Sequence, residues 1–365
     1  MDLLSAASNG VAAARHISSP LPDVNNADAI NTTLLCHSYS LQPDFASYFS
    51  VLKGNAWAIW SCGLLVLLVL CVLYIVTLRS ALRYWKESCS SVAVVLAVYP
   101  VVAAAALVAT VLPRARILSE AVAQEAVMIA MYHFYFLIIA ECGGTNQLIR
   151  RSEGFHMETR VLPCCCWPCC ILPRPRVQNK SLAWLRYLVL QMPVIQGFLY
   201  LIVLVLWAED MMLYLTSFIY IQPFIITSIL SGIWGVIMCV RVAEATGAKP
   251  RPRFFALQLV LVIVKLQCGF AKVLPDLATL PCIMELHPSV FVNLIHNIVM
   301  IFEMLLLSIL AWRLYRVAPG KDAEKVQHVV VAVLEDSLNS LEKVNDIGNH
   351  NMIYGSKNDM KRDEY

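Results

Sequence analysis

Charged side chains are scarce in this chain. Asp, Glu, Lys and Arg make up 15% of its 365 residues, against ~25% in ordinary soluble domains. That is too little charge to solvate a globule of this size. A disordered chain, a cytosolic enzyme and a secreted disulfide scaffold are excluded together. The net charge of +3 is too small to point to nucleic acid, and no RNP, finger or basic-helix pattern is present. Also missing are HExxH, GxSxG, a phosphate-binding loop and the paired aspartates of an intramembrane protease. No enzymatic chemistry, metal or cofactor is therefore expected.

Apolar residues, by contrast, reach 59%, and mean hydropathy is +0.66. Crossing the ~30 Å hydrocarbon layer takes about 20 apolar residues at ~1.5 Å rise each. Seven stretches qualify: Ala56–Leu78, Ser91–Leu112, Ala121–Ala140, Tyr187–Trp207, Ser217–Val240, Phe254–Leu274 and Val290–Trp312. The short alternating strands of a membrane barrel are not seen, so helices are the way across. The expected fold is all-α: a polytopic seven-transmembrane helix bundle over 56–312, after an N-terminal segment 1–55 and before a tail 313–365. In that tail, Lys321–Val344 reads as an amphipathic helix, with Val326, Val330, Val333, Leu334, Leu338, Leu341 and Val344 on one stripe.

Orientation follows from the basic residues flanking each span. One side collects 22 Lys and Arg and the other 4, which places the amino terminus outside and the carboxyl terminus in the cytosol. Met1–Ala14 is broken by Asp2 and polar residues, so no cleavable signal peptide is expected. Asn31-Thr32-Thr33 is a glycosylation sequon on the outer side. The sequon at Asn179 falls inside and should stay bare.

Five of the 13 cysteines crowd into the cytosolic loop 142–186, as Cys164, Cys165, Cys166, Cys169 and Cys170 among prolines. Zinc would need about four ligands held apart on a scaffold, and only His156 is near. A redox pair would need a strand-to-helix setting. Thioacylation fits best: the thiols are cytosolic, close to the bilayer, and flanked by Trp167, Ile171, Leu172, Arg174 and Arg176. Each buried methylene contributes ~0.8 kcal/mol, so two acyl chains would hold the loop on the inner leaflet. Cys36 and Cys282 are the two cysteines expected outside and are candidates for a disulfide.

Ionisable groups at membrane depth are costly, so each is a candidate site. Span six carries Gln258, Lys265 and Lys272 at i, i+7 and i+14, within one narrow arc. Span seven carries Asn293, His296 and Glu303, and span three carries Glu125 and His133. Lys265 and Glu303 lie at similar depth, so a buried pair between the two helices is expected, as a lock or as part of a solute site. These groups are too sparse for a water-filled pore. They suit a groove for an amphipathic solute, with lysines for an anionic group and aromatics for an apolar body.

Glu141-Cys142-Gly143-Gly144 closes span three, and Pro163-Cys164-Cys165-Cys166-Trp167-Pro168-Cys169-Cys170 follows. With Phe255-Ala256-Leu257-Gln258-Leu259-Val260 and Phe302-Glu303-Met304-Leu305-Leu306, this resembles the organic solute transporter alpha subunit family over about Leu34 to Arg316. The resemblance implies facilitated, gradient-driven transport of amphipathic organic anions such as steroid conjugates or bile acids across the plasma membrane. It implies a separate single-span beta subunit as partner, in a heteromer able to assemble further, and a palmitoylated cysteine-rich loop. Two other readings stand beside it. A seven-span receptor would want Asp-Arg-Tyr after span three and Asn-Pro-x-x-Tyr in span seven, and neither is present. A non-transporting scaffold or trafficking protein would work through the acylated loop and the tail helix.

Overall fold

The computed structural model describes residues 43–159, 161, 174–277 and 287–316. The Asn31 sequon, the cysteines of the Pro-flanked run, Cys36, Cys282 and the tail helix lie outside these residues. Among the described residues there are nine α-helices and no strand: α1 Phe45–Leu52, α2 Gly54–Ala81, α3 Cys89–Val111, α4 Arg116–Glu141, α5 Thr145–Arg151, α6 Asn179–Glu209, α7 Met211–Ala245, α8 Arg251–Leu277 and α9 Pro288–Tyr315. Seven of them, all but α1 and α5, are long and apolar enough to cross a bilayer. Six of the expected stretches lie within these helices, and Ser91–Leu112 overruns α3 by its last residue. The helices run past the apolar cores because polar residues in the flanking turns still complete the i→i−4 ladder. The extension that bears on the polar residues described below is that of α4, which begins at Arg116 rather than near Ala121. Pro113 starts the single 3₁₀ turn, Pro113–Ala115, that leads into it.

The Ala- and Val-rich α3 is the central helix, packed against α2, α4 and α9. Its Ala103, Ala105, Ala106 and Ala109 are buried, and small side chains let neighbouring backbones approach closely. By contrast α2 turns Leu64, Leu65, Leu68, Val72 and Ile75 outward, as a helix facing lipid does. The α6 and α7 pair is drawn together at Gly232, where an added Cβ would stand 2.0 Å from Met192. The backbone of α8 lies along α9 and, more thinly, α4. Its reach toward α6 and α7 is made by side chains.

At the end where α4 begins (the Arg116 end), α1 closes the bundle. The Tyr48 hydroxyl donates to the Thr110 carbonyl at 3.1 Å, and burial pushes that phenol up to about 12. Phe45, Phe49, Trp57 and Trp60 stack beside it, a grouping typical of a membrane–water interface.

The opposite, Arg253 end is tied more tightly. Gly143 and Gly144 both have positive φ, +86° and +92°, so the Glu-Cys-Gly-Gly motif is the left-handed turn that ends α4. It leaves Glu141 3.1 Å from Arg253 of α8, with both side chains at most 7% exposed. The guanidinium lies between the Trp85 and Tyr315 rings, 5.1 and 5.6 Å from their centroids. Cys142 is buried, which pushes its thiol up, and it accepts from the Thr246 hydroxyl. Both flanks of the cysteine-rich stretch are pinned here. Met157, Thr159, Val161 and Val177 are buried, Met157 N–H donates to Pro175, and the Trp234 indole donates to Thr159.

Candidate functional site

A polar chain crosses from α4 to α8 near the Arg116 end. Glu120 lies one turn into α4, and Gln124, one turn further, donates to its Oε1 at 3.0 Å. Lys272 Nζ donates to the same oxygen at 2.8 Å. The Gln124 carbonyl in turn accepts from Lys265. The two lysines, about 10 Å apart along α8, are thus joined through one glutamate and one glutamine. Aromatic rings on the far side complete their surroundings: Lys265 is 5.8 Å from the Tyr200 centroid and Lys272 4.5 Å from that of Phe218. Tyr214, beside Phe218, packs on Val203 and Ile117.

Against this chain lies a cavity of about 40 Å³, walled by α3, α4, α8 and α9. Arg116, Glu120, Lys272, Asn293, His296 and Cys268 line it. It has room for about three water molecules at ~10–15 Å³ each. The thiol of Cys268 stands 3.7 Å from His296 Nε2, and Asn297 donates to the Asn293 carbonyl at 2.7 Å. Drug-sized ligands fill roughly 300–1,000 Å³, so a solute body is not enclosed here. Arg116 has no ion-pair partner among the described residues. Its charge and that of both lysines act on Glu120, and Glu125 acts on Lys265. Three cations against two carboxylates leave the cluster one charge positive.

The structure brings together Lys265, Lys272, Asn293 and His296 and sets Glu125 beside them. An added Cβ on Gly197 of α6 would be 3.5 Å from the Glu125 carboxylate. Three other expected residues lie elsewhere. Gln258 lies two turns before Lys265 on α8, toward the Arg253 end, its side-chain carbonyl buried without a hydrogen bond. His133 meets Ser91 at 3.4 Å and stacks near Tyr132 and Phe136, a helix contact between α3 and α4. Glu303 accepts from Gln267 at 2.6 and 2.5 Å. The expected Lys265–Glu303 pair is therefore corrected: Lys265 turns toward α4 and α6, whereas Gln267 is the residue of α8 that meets α9 at that depth. Among the described residues, no group of three His, Cys, Asp or Glu side chains converges as a metal site would require.

Residues 58–320 match the family described as organic solute transporter Ostalpha. The chain belongs to that family. It is 29% identical over 220 residues to an organic solute transporter alpha-like protein of Drosophila melanogaster, covering 60% of this chain and 67% of that one. It is 28% identical over 235 residues to an organic solute transporter subunit alpha of Danio rerio, covering 62% and 72%. A Caenorhabditis elegans organic solute transporter alpha-like protein 2 is 28% identical over 139 residues, 37% of this chain and 40% of that protein. No solved structure matches significantly. With seven apolar helices, membership makes this a multi-pass membrane protein of a solute-transporter family, not an enzyme.

Sequence reading missed Glu120 and Arg116, because both fall in what reads as a loop. The signal was available in Pro113 as a helix start and in the Glu120–Gln124 i,i+4 spacing. Cys268 was missed because a lone thiol in an apolar span carries no pattern.

Proposed function

We propose that this chain is the alpha subunit of a heteromeric carrier moving amphipathic organic anions, steroid conjugates or bile acids, down their gradient across the plasma membrane. The net positive cluster of Arg116, Lys265 and Lys272 at membrane depth is the observation that carries this reading. Lys265, the deeper of the two lysines, has a neutral amide as its hydrogen-bond partner; a cation inside the membrane without a carboxylate partner is costly, and an anionic solute offsets that cost. Tyr200 and Phe218 offer apolar surface beside the two lysines. Because the cavity is small, the anionic group enters it while the apolar body lies along the α6, α7 and α8 side chains. His296 and Asn293 add donors, and Glu125 repels a second negative charge. The sequence holds no nucleotide-binding loop, in keeping with gradient-driven movement. A relative in Danio rerio is named as a subunit, in keeping with a partner, proposed here as a single-span beta chain.

In this reading the Arg116 end faces outward and the Arg253 end the cytosol, as the basic residues favour. Asn31 carries a glycan, Cys36 and Cys282 are bridged, and the loop cysteines are acylated and in contact with inner-leaflet lipid. The test is uptake of a labelled steroid sulfate into vesicles bearing the full chain, with and without a single-span beta partner. Saturable uptake that rises with the partner is expected. No flux in either case overturns the reading.

A further inference from the structure

We propose that Glu120 is an internal counter-anion which holds the solute's place in the empty carrier and sets its preference for anions. The inference rests on the carrier reading above and adds to it a residue that competes with the solute.

Glu120 uses one oxygen, Oε1, for both of its bonds, to Lys272 at 2.8 Å and to Gln124 at 3.0 Å. Its carboxylate lines the cavity beside Arg116 and Lys272, so it already occupies the position an incoming carboxylate or sulfate would take. An oxyanion entering this cavity of about 40 Å³ meets a Lys272 ammonium already bonded to Glu120, so the two anions compete for one donor. Withdrawal of Glu120 frees the Lys272 ammonium and the Gln124 amide together, so one oxyanion is exchanged for another. The site favours this exchange. Its walls hold two cations to one carboxylate, and the Lys272–Glu120 pair is not sealed, with side-chain exposures of 25% and 11%. Glu120 lies only one turn into α4, so its side chain has a short path to the Arg116 end. Once Glu120 leaves, Gln124 stays bonded to Lys265, and the solute's anionic group has a second cation about 10 Å deeper. A neutral steroid offers nothing to exchange and leaves the Lys272–Glu120 pair in place.

The experiment compares the full chain with Glu120→Gln and Lys272→Gln variants, each co-reconstituted with the beta partner. It reads the half-saturating concentration of a labelled steroid monosulfate, with the unconjugated steroid as control. Glu120→Gln is expected to lower that concentration about tenfold and Lys272→Gln to raise it by as much, because one charge-assisted bond is lost or gained against the solute. A purely structural ion pair would make both variants worse, and a raised or unchanged value in Glu120→Gln overturns the inference. A second readout does not need flux: bound anion raises the melting temperature, and the sulfate should stabilise purified Glu120→Gln more than the unchanged chain. Equal stabilisation also overturns the inference. If Glu120→Gln does not accumulate, Glu120→Asp is read by the same rule with a smaller change expected in the same direction. Should the unchanged chain neither transport the sulfate nor be stabilised by it, the carrier reading itself has failed.

Discussion

Lys265 shows what membrane depth demands of a single side chain. Its ammonium has a neutral amide as hydrogen-bond partner and a phenol ring nearby, so its charge is solvated but not cancelled. Such a lysine holds an anion more readily than one already paired with a carboxylate. Lys265→Ala is expected to cut uptake, normalised to surface protein, by tenfold or more, the order of one lost charge-assisted bond. Equal losses of uptake and surface protein would assign Lys265 to packing. Glu303 gives the contrast, since Gln267 satisfies both its oxygens away from the cavity, and Glu303→Gln should leave uptake within about twofold in the same assay.

At the scale of elements, α4 and α8 are joined near both ends and thinly between. Lys272 and Glu120 meet near one end and Arg253 and Glu141 at the other. The second pair is the more deeply buried, and two rings enclose its guanidinium. Removing one member of a buried pair strands the other charge, a loss of ~3–5 kcal/mol, whereas replacing both by apolar residues costs less. Glu141→Gln should therefore lower the melting temperature of the detergent-solubilised protein by several degrees, and the double variant Glu141→Leu with Arg253→Met by less. A double variant worse than the single one would show that Arg253 acts mainly through Trp85 and Tyr315. The turn that places Glu141 depends on Gly143 and Gly144 at positive φ, which gives the Glu-Cys-Gly-Gly motif a structural meaning.

For the whole molecule, the decisive quantity is the odd number of crossings. In the proposed topology, seven spans put the two termini on opposite sides and the acylated loop on the cytosolic one. The described flanks of its cysteine-rich stretch, Met157, Thr159, Val161 and Val177, are buried at the Arg253 end. Changing Cys164, Cys165, Cys166, Cys169 and Cys170 to Ser should abolish acyl labelling of the full chain, read by thioester-cleavable palmitate incorporation. Retained labelling would move the lipid to another thiol, such as the exposed Cys89.

Hydropathy and helix length are properties of local sequence against a slab of fixed thickness, so the amino-acid order alone determined seven membrane-length helices and their all-α class. It also marked both lysines of α8, because spacing by sevens fixes a shared face whatever stands opposite. Which partner stands opposite depends on the rotation of each helix about its axis and on the choice of neighbour, and neither is local. Only the tertiary structure could turn Lys265 toward Gln124 rather than Glu303, and draw Glu120 and Arg116 into the site by starting α4 before its apolar core. It alone closed the cavity to the size of a few waters, because that volume is what four packed helices leave between them.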